Sequence, residues 1–100
     1  MGLAVQSDHW IESERASVNT YRSEFFAACP TNGVRIKYTL EISTVKTIRV
    51  EDLIIAMEGI DQMYHEEIAD EFCNRFGGMQ TLTAEHHGVQ IETLRGAVDV

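Results

Sequence analysis

The sequence predicts an α+β domain, a four-stranded antiparallel sheet with two helices on one face. Three observations predict it: a stretch from Val34 that alternates apolar and polar side chains, two stretches between Val50 and Phe76 with helical spacing, and two closing strand-like runs joined at His86-His87-Gly88. The order strand, strand, helix, helix, strand, strand (ββααββ) lets both helices cover the same side of the sheet.

Residues 1–16 carry no clear period and read as an N-terminal arm, and residues 17–100 read as a single domain. A chain of 100 residues has material for one core. Ser17 to Cys29, rich in Val, Thr, Tyr and Phe, reads as the first strand. Thr31-Asn32-Gly33 has hairpin turn chemistry, so the next strand should pair with it antiparallel. There Val34, Ile36, Tyr38, Leu40 and Ile42 alternate with Arg35, Lys37, Thr39, Glu41 and Ser43, which predicts one buried and one wet face. The period then changes. Val50, Leu53, Ile54, Met57 and Ile60 follow helical spacing, with Glu51 and Asp52 in the favourable first turn and a break near Gly59 and Asp61. A second helix is predicted from Tyr64 to Phe76, with Ile68, Phe72 and Phe76 on one stripe and Gly77-Gly78 as its stop. Met79 to Glu85 and Val89 to Leu94 form the closing hairpin.

Composition narrows the function classes. A formal charge of −8 with only 8 basic residues disfavours a sequence-independent grip on nucleic acid. It suits an acidic soluble surface or a nucleic-acid mimic. No apolar run reaches membrane-spanning length, and no basic segment followed by an apolar stretch opens the chain, so a cytoplasmic protein is expected. In that setting the 2 cysteines, Cys29 and Cys73, are expected as free thiols.

Two places carry potential chemistry. Cys29 stands where a strand-like run stops at Pro30, and Tyr64-His65-Glu66-Glu67 opens the second helix. By composition alone Cys29 reads as a small core residue; as a partly exposed thiol of lowered pKa it reads as a nucleophile. Glu66 can accept two hydrogen bonds from the amino group and ring N–H of a guanine-like base, with His65 beside it, or it can simply be a favourable acid of a first helical turn. Glu67 reads as a solvated acid. His86 and His87 read as a turn-exposed pair, since their spacing matches no closed zinc pattern, and no metal site is expected. Cys73 reads as structural. Arg22, Arg35, Lys37 and Lys46 are scattered basics that could touch phosphates but read as solvated.

The element order is that of the tunnelling fold (T-fold), and local motifs narrow the resemblance. Glu24-Phe25 followed by Cys29-Pro30 and Gly33 resembles the cysteine segment of the 7-cyano-7-deazaguanine reductases (QueF), and Tyr64-His65-Glu66-Glu67 resembles their substrate-binding segment. The resemblance covers residues 22 to 94 in patches. It implies an oligomeric barrel with sites between subunits, Cys29 as catalytic nucleophile, and His65 and Glu66 as substrate-binding residues. Where those reductases carry a Glu-Ser-Lys-Ser-Leu segment for the nicotinamide cofactor, this chain has Val50-Glu51-Asp52-Leu53-Ile54, so hydride transfer from NADPH is not expected. The chain looks more like the short archaeosine synthase relatives (QueF-like), which add ammonia to the nitrile of 7-cyano-7-deazaguanine in tRNA. Both families place an aspartate shortly after the cysteine-proline pair, and here Thr31-Asn32-Gly33 supplies none.

The resulting expectation is a homo-oligomeric enzyme without a cofactor. It would act on the 7-substituent of a 7-deazaguanine, free or in nucleic acid, by nitrile amidination or by decarboxylation of a 7-carboxy group. The alternatives are a non-catalytic acidic inhibitor that mimics nucleic acid, and a pterin-binding T-fold protein.

Overall fold

The computed structural model describes residues 17–98, so the predicted arm, residues 1–16, lies outside the described residues. Four strands form one antiparallel sheet in the order β1 (Asn19–Ala28), β2 (Arg35–Thr44), β3 (Met79–His86), β4 (Val89–Arg95). Between β2 and β3 come α1 (Val50–Glu58) and α2 (His65–Phe76).

The period-two pattern sets the register. Phe25 faces Tyr38 across β1 and β2, Tyr38 faces Ala84 across β2 and β3, and Ala84 faces Ile91 across β3 and β4. One sheet face therefore carries Phe25 and Ala27, then Ile36, Tyr38, Leu40 and Ile42, then Leu82 and Ala84, all buried. The helices supply the opposing layer with Leu53, Ala56, Met57, Ile68, Ala69 and Phe72. Phe72 is fully buried, its ring 5.5 Å from that of Phe25, and Phe25 stacks on Tyr38 at 5.3 Å. Each such large side chain contributes about 1.5–3 kcal/mol by leaving water.

The inward stripe of α1 differs from the one predicted. Leu53, Ala56, Met57 and Ile60 are buried, whereas Val50 and Ile54 are 58% and 43% exposed. The buried set keeps the i, i+3, i+4, i+7 spacing but starts at Leu53, and it includes small Ala56, which lets the helix lie close to its neighbours.

Three polar arrangements fix the ends. The Tyr21 hydroxyl accepts the Ile48 N–H (3.0 Å) and anchors the approach to α1. Gln80, 2% exposed, donates from Nε2 to the carbonyls of Phe72 (2.9 Å) and Gly77 (2.7 Å), tying β3 to the last turn of α2 and to the turn beyond it. At the other end the Tyr64 N–H donates to Glu67 Oε1 (3.0 Å), so Glu67 caps α2 and is not merely solvated. The linker between the helices then lies along the end of β1: Ala28 N–H donates to the Asp61 carbonyl (2.8 Å), and Ala28 forms a parallel bridge with Gln62. That pairing sets the start of α2 beside the end of β1.

Candidate functional site

Cys29 follows β1 in a tight turn. Its N–H donates to the Val34 carbonyl (2.9 Å), its carbonyl accepts the Gly33 N–H (2.7 Å), and Gly33 takes a φ of 75° that favours glycine. The linker pairing brings Tyr64, His65 and Glu66 to the same corner, and the end of β3 closes it. The result is a cavity of about 340 Å³ whose wall includes Cys29, Tyr38, His65, Glu66 and His86, with Pro30, Ile36, Met63, Tyr64, Ala84 and Ile91 completing it. That volume lies at the small end of ligand pockets, about 300–1,000 Å³. The three residues singled out in the sequence, Cys29, His65 and Glu66, thus line one cavity. Cys29 is only 5% exposed, so its sulfur belongs to the inner wall and not to the open surface.

Two contacts brace the mouth: Thr31 Oγ1 and the Tyr64 hydroxyl share a hydrogen bond (3.1 Å), and Asn32 Nδ2 donates to His87 Nε2 (3.3 Å). They tie the β1–β2 turn to α2 and to the β3–β4 turn.

His65 is half-buried at the first position of α2, its ring 5.6 Å from that of Tyr38. Nε2 shares a hydrogen bond with Thr93 Oγ1 (2.9 Å), whereas Nδ1 is buried without a partner. Burial holds this imidazole below its ordinary range; Glu66 and the backbone at Leu82 act the other way, the latter without giving Nδ1 a hydrogen bond of good geometry, and Arg95 and His86 reinforce the lowering. The ring is therefore kept neutral, able to donate and to accept. Glu66 is open, its side chain 80% exposed and 3.9 Å from the Arg95 guanidinium, which also donates to Asp70 at 2.8 Å. Burial, and after it the charge of Cys29, raise Tyr38, so its hydroxyl keeps its proton.

His86 corrects the sequence reading. It is not part of an exposed turn pair: it ends β3, is half-buried, and lines the cavity, with Nε2 buried and unpartnered. Only His87, at φ 53°, sits exposed in the turn, its ring 4.7 Å from that of His86. The signal was present in the sequence, because Gln80, Leu82, Ala84 and His86 share one strand parity, which the adjacency of the two histidines concealed.

Among the described residues no group of three or more His, Cys, Asp and Glu side chains is arranged to hold a metal, and no helix is long and apolar enough to cross a membrane. Cys29 and Cys73 are both free. Of the scattered basics, Arg22 pairs with Glu41 (2.8 Å), Lys37 lies 3.6 Å from Glu24, and Arg35 sits 5.3 Å over the Phe26 ring.

No protein-family model and no curated protein sequence matches the chain. Among solved structures it is similar to the archaeosine synthase QueF-Like in the apo form, with a TM-score of 0.67 over 84% of this chain and 96% of that one, at 14% sequence identity. A likeness at that identity shows the fold alone: the chain shares the α+β tunnelling fold of that structure, a four-stranded antiparallel sheet with two helices on one face.

Proposed function

We propose that this chain is a 7-deazaguanine-modifying enzyme that acts on the 7-substituent of the base, free or carried in nucleic acid, through Cys29. The observation that carries the reading is that Cys29, His65 and Glu66, distant in the chain, share one small cavity. A flat bicyclic base has apolar wall to lie against at Ile36, Met63 and Ile91. Glu66 would accept its amino and ring N–H groups, which rejects bases lacking those donors. Neutral His65 would hold an edge of the ring. With a nitrile at position 7, Cys29 adds to the nitrile carbon to give a thioimidate; ammonia then attacks that carbon, the C–S bond breaks, and an amidine leaves. No step calls for NADPH.

The fold likeness to an archaeosine synthase supports this reading over the acidic inhibitor and the pterin binder. The buried sulfur and apolar wall favour one second reading, loss of carbon dioxide from a 7-carboxy-7-deazaguanine, since desolvation raises the energy of a carboxylate more than that of the charge-dispersed transition state. A homo-oligomer in the cytoplasm belongs to the proposal: β1 and β4 form the sheet edges, and Val89 and Leu94 on β4 are 61% and 56% exposed.

The test is mass spectrometry of denatured protein after mixing with 7-cyano-7-deazaguanine. A covalent gain on the peptide containing Cys29, discharged by ammonia to the amidine, is expected. An unchanged mass with carbon dioxide released from the carboxy analogue selects the second reading. Neither result, with no affinity for 7-deazaguanine, overturns both.

A further inference from the structure

We propose that His86 is a catalytic proton-transfer residue of this cavity, accepting the proton of the Cys29 thiol and delivering it to the nitrile nitrogen as the sulfur–carbon bond forms. The proposal rests on the reading of Cys29 as nucleophile and adds to it the group that balances its protons. Thiol addition to a nitrile is proton-neutral overall. The S–H bond breaks and an S–C bond forms, one C≡N π bond opens, and the electron pair left on nitrogen takes a proton. Some group must move that proton, because a thiol is a poor nucleophile and a nitrile nitrogen bearing a full negative charge is a poor product.

The other ionisable groups of the wall are engaged or unsuited. His65 Nδ1 is buried and unpartnered as well, but its Nε2 is held by Thr93 (2.9 Å), burial makes the ring a weaker base, and the ring is assigned to the substrate's edge. The Tyr64 hydroxyl bonds to Thr31 (3.1 Å), and Tyr38 holds its own proton tightly. Glu66 lies open beside Arg95 and is assigned to the base.

His86 is differently placed. The register that pairs Tyr38 with Ala84 runs on so that His86 shares the inward face of β3 with Ala84 and Leu82. It lines the same cavity as Cys29, and its Nε2 is buried without a hydrogen-bond partner. A buried unpartnered imidazole nitrogen costs stability and calls for a reason. An imidazole also presents a lone pair and an N–H on one ring, so it can take a proton and give it back without a second residue. The His87 ring lies beside it, centroids 4.7 Å apart and planes inclined by 33°, and is itself tied to Asn32.

The test compares His86→Ala and His86→Asn with the unsubstituted chain and with Glu85→Gln, on the opposite, exposed face of β3, as the control outside the cavity. The rate of adduct formation on Cys29 with 7-cyano-7-deazaguanine is followed by quenched intact mass, and affinity is measured with 7-deazaguanine, which has no nitrile. Both His86 variants should slow the adduct by about a hundredfold, within the range of general acid–base catalysis. Affinity for 7-deazaguanine should hold within about threefold, added imidazole should recover at least about tenfold in His86→Ala, and Glu85→Gln should react as the unsubstituted chain does. Adduct rates within about threefold in both variants overturn the proposal, as does a slowing that follows lost affinity and resists imidazole. An unsubstituted chain that binds the nitrile but gains no mass overturns the reading of Cys29 itself; one that gains mass while both variants match it overturns the role of His86 alone.

Discussion

The two ends of the helix layer put their polar groups to different uses. Where α2 ends and α1 begins, the side-chain polar groups serve the chain: the Gln80 amide donates to two carbonyls and the Tyr21 hydroxyl accepts the Ile48 N–H. A larger hollow there, about 570 Å³, is lined by Lys46, Arg49, Asp52 and Arg75, all exposed side chains. Where α2 begins, the cavity is smaller, and of its polar atoms His65 Nδ1 and His86 Nε2 are both buried and unpartnered. Gln80 Oε1 shares that condition at the first end, but on a side chain whose amide nitrogen is doubly used. A fold that spends an amide nitrogen and a hydroxyl on its own backbone at one end and leaves ring nitrogens unspent at the other has placed its stability and its chemistry apart.

The largest effect that could break this contrast is at Cys29. Cys29→Ala removes the proposed nucleophile and should lower turnover of the nitrile by on the order of a thousandfold or more, with the thermal midpoint little changed because only a sulfur is lost from a cavity wall. Retained turnover, measured by chromatography of the product, would return Cys29 to the core and leave the cavity without its reaction.

Next in size is Glu66. Glu66→Gln keeps the shape of the side chain and removes the charge that would accept two donors of the base. A charge-assisted hydrogen bond is worth about 1.5–3 kcal/mol, so affinity for 7-deazaguanine should fall by roughly tenfold to a hundredfold in a titration. Because Glu66 is open to solvent, the folding midpoint should stay in place. A loss of stability with affinity intact would make it a helix-start acid and nothing more.

Much of this division was legible in the sequence, and where it was not the reason is physical. The alternation from Val34 to Ser43 and the glycines at 77 and 78 sufficed for the strands and the end of α2, because both report local backbone geometry. Cys29 and His65 could be named from their segments, but nothing local says that the Asp61-Gln62 linker pairs with Ala28 and draws them to one corner. The stripe of α1 was misjudged at Val50, Ile54 and Ala56, because these are told apart only by what α1 rests on. His86 was missed because a turn reads as exposed, whereas its direction is set by strand parity with Ala84.

The opposite end is tested at Gln80. Gln80→Leu fills the same space but removes the side-chain donor from the Gly77 carbonyl and a second donor from the Phe72 carbonyl, at the buried end of α2. Losing the two hydrogen bonds costs about 1–3 kcal/mol in all, so the denaturation midpoint should drop clearly in urea. Affinity for 7-deazaguanine, measured where the variant is still folded, should be unaltered. A variant as stable as the parent would mean that the chain does not depend on this cap, and the contrast between the ends would weaken.

The smallest effect expected is the pH response of His65. Its imidazole is lowered by burial in the folded chain, while in the unfolded chain it titrates at its ordinary value near 6.5. Between the lowered value and about 6.5 the unfolded state binds more protons, so stability must rise with pH across that window. The benefit is complete above the unfolded value and fades on acidification toward the folded one. Urea midpoints should therefore fall modestly between about pH 7.5 and 5.5, above the range where carboxylates titrate. His65→Gln, which keeps a hydrogen-bonding group for Thr93, should flatten that fall without abolishing the fold. Equal falls in both proteins would show that His65 is not held neutral, and the cavity end would then lose the neutral ring on which the contrast with the capped end depends.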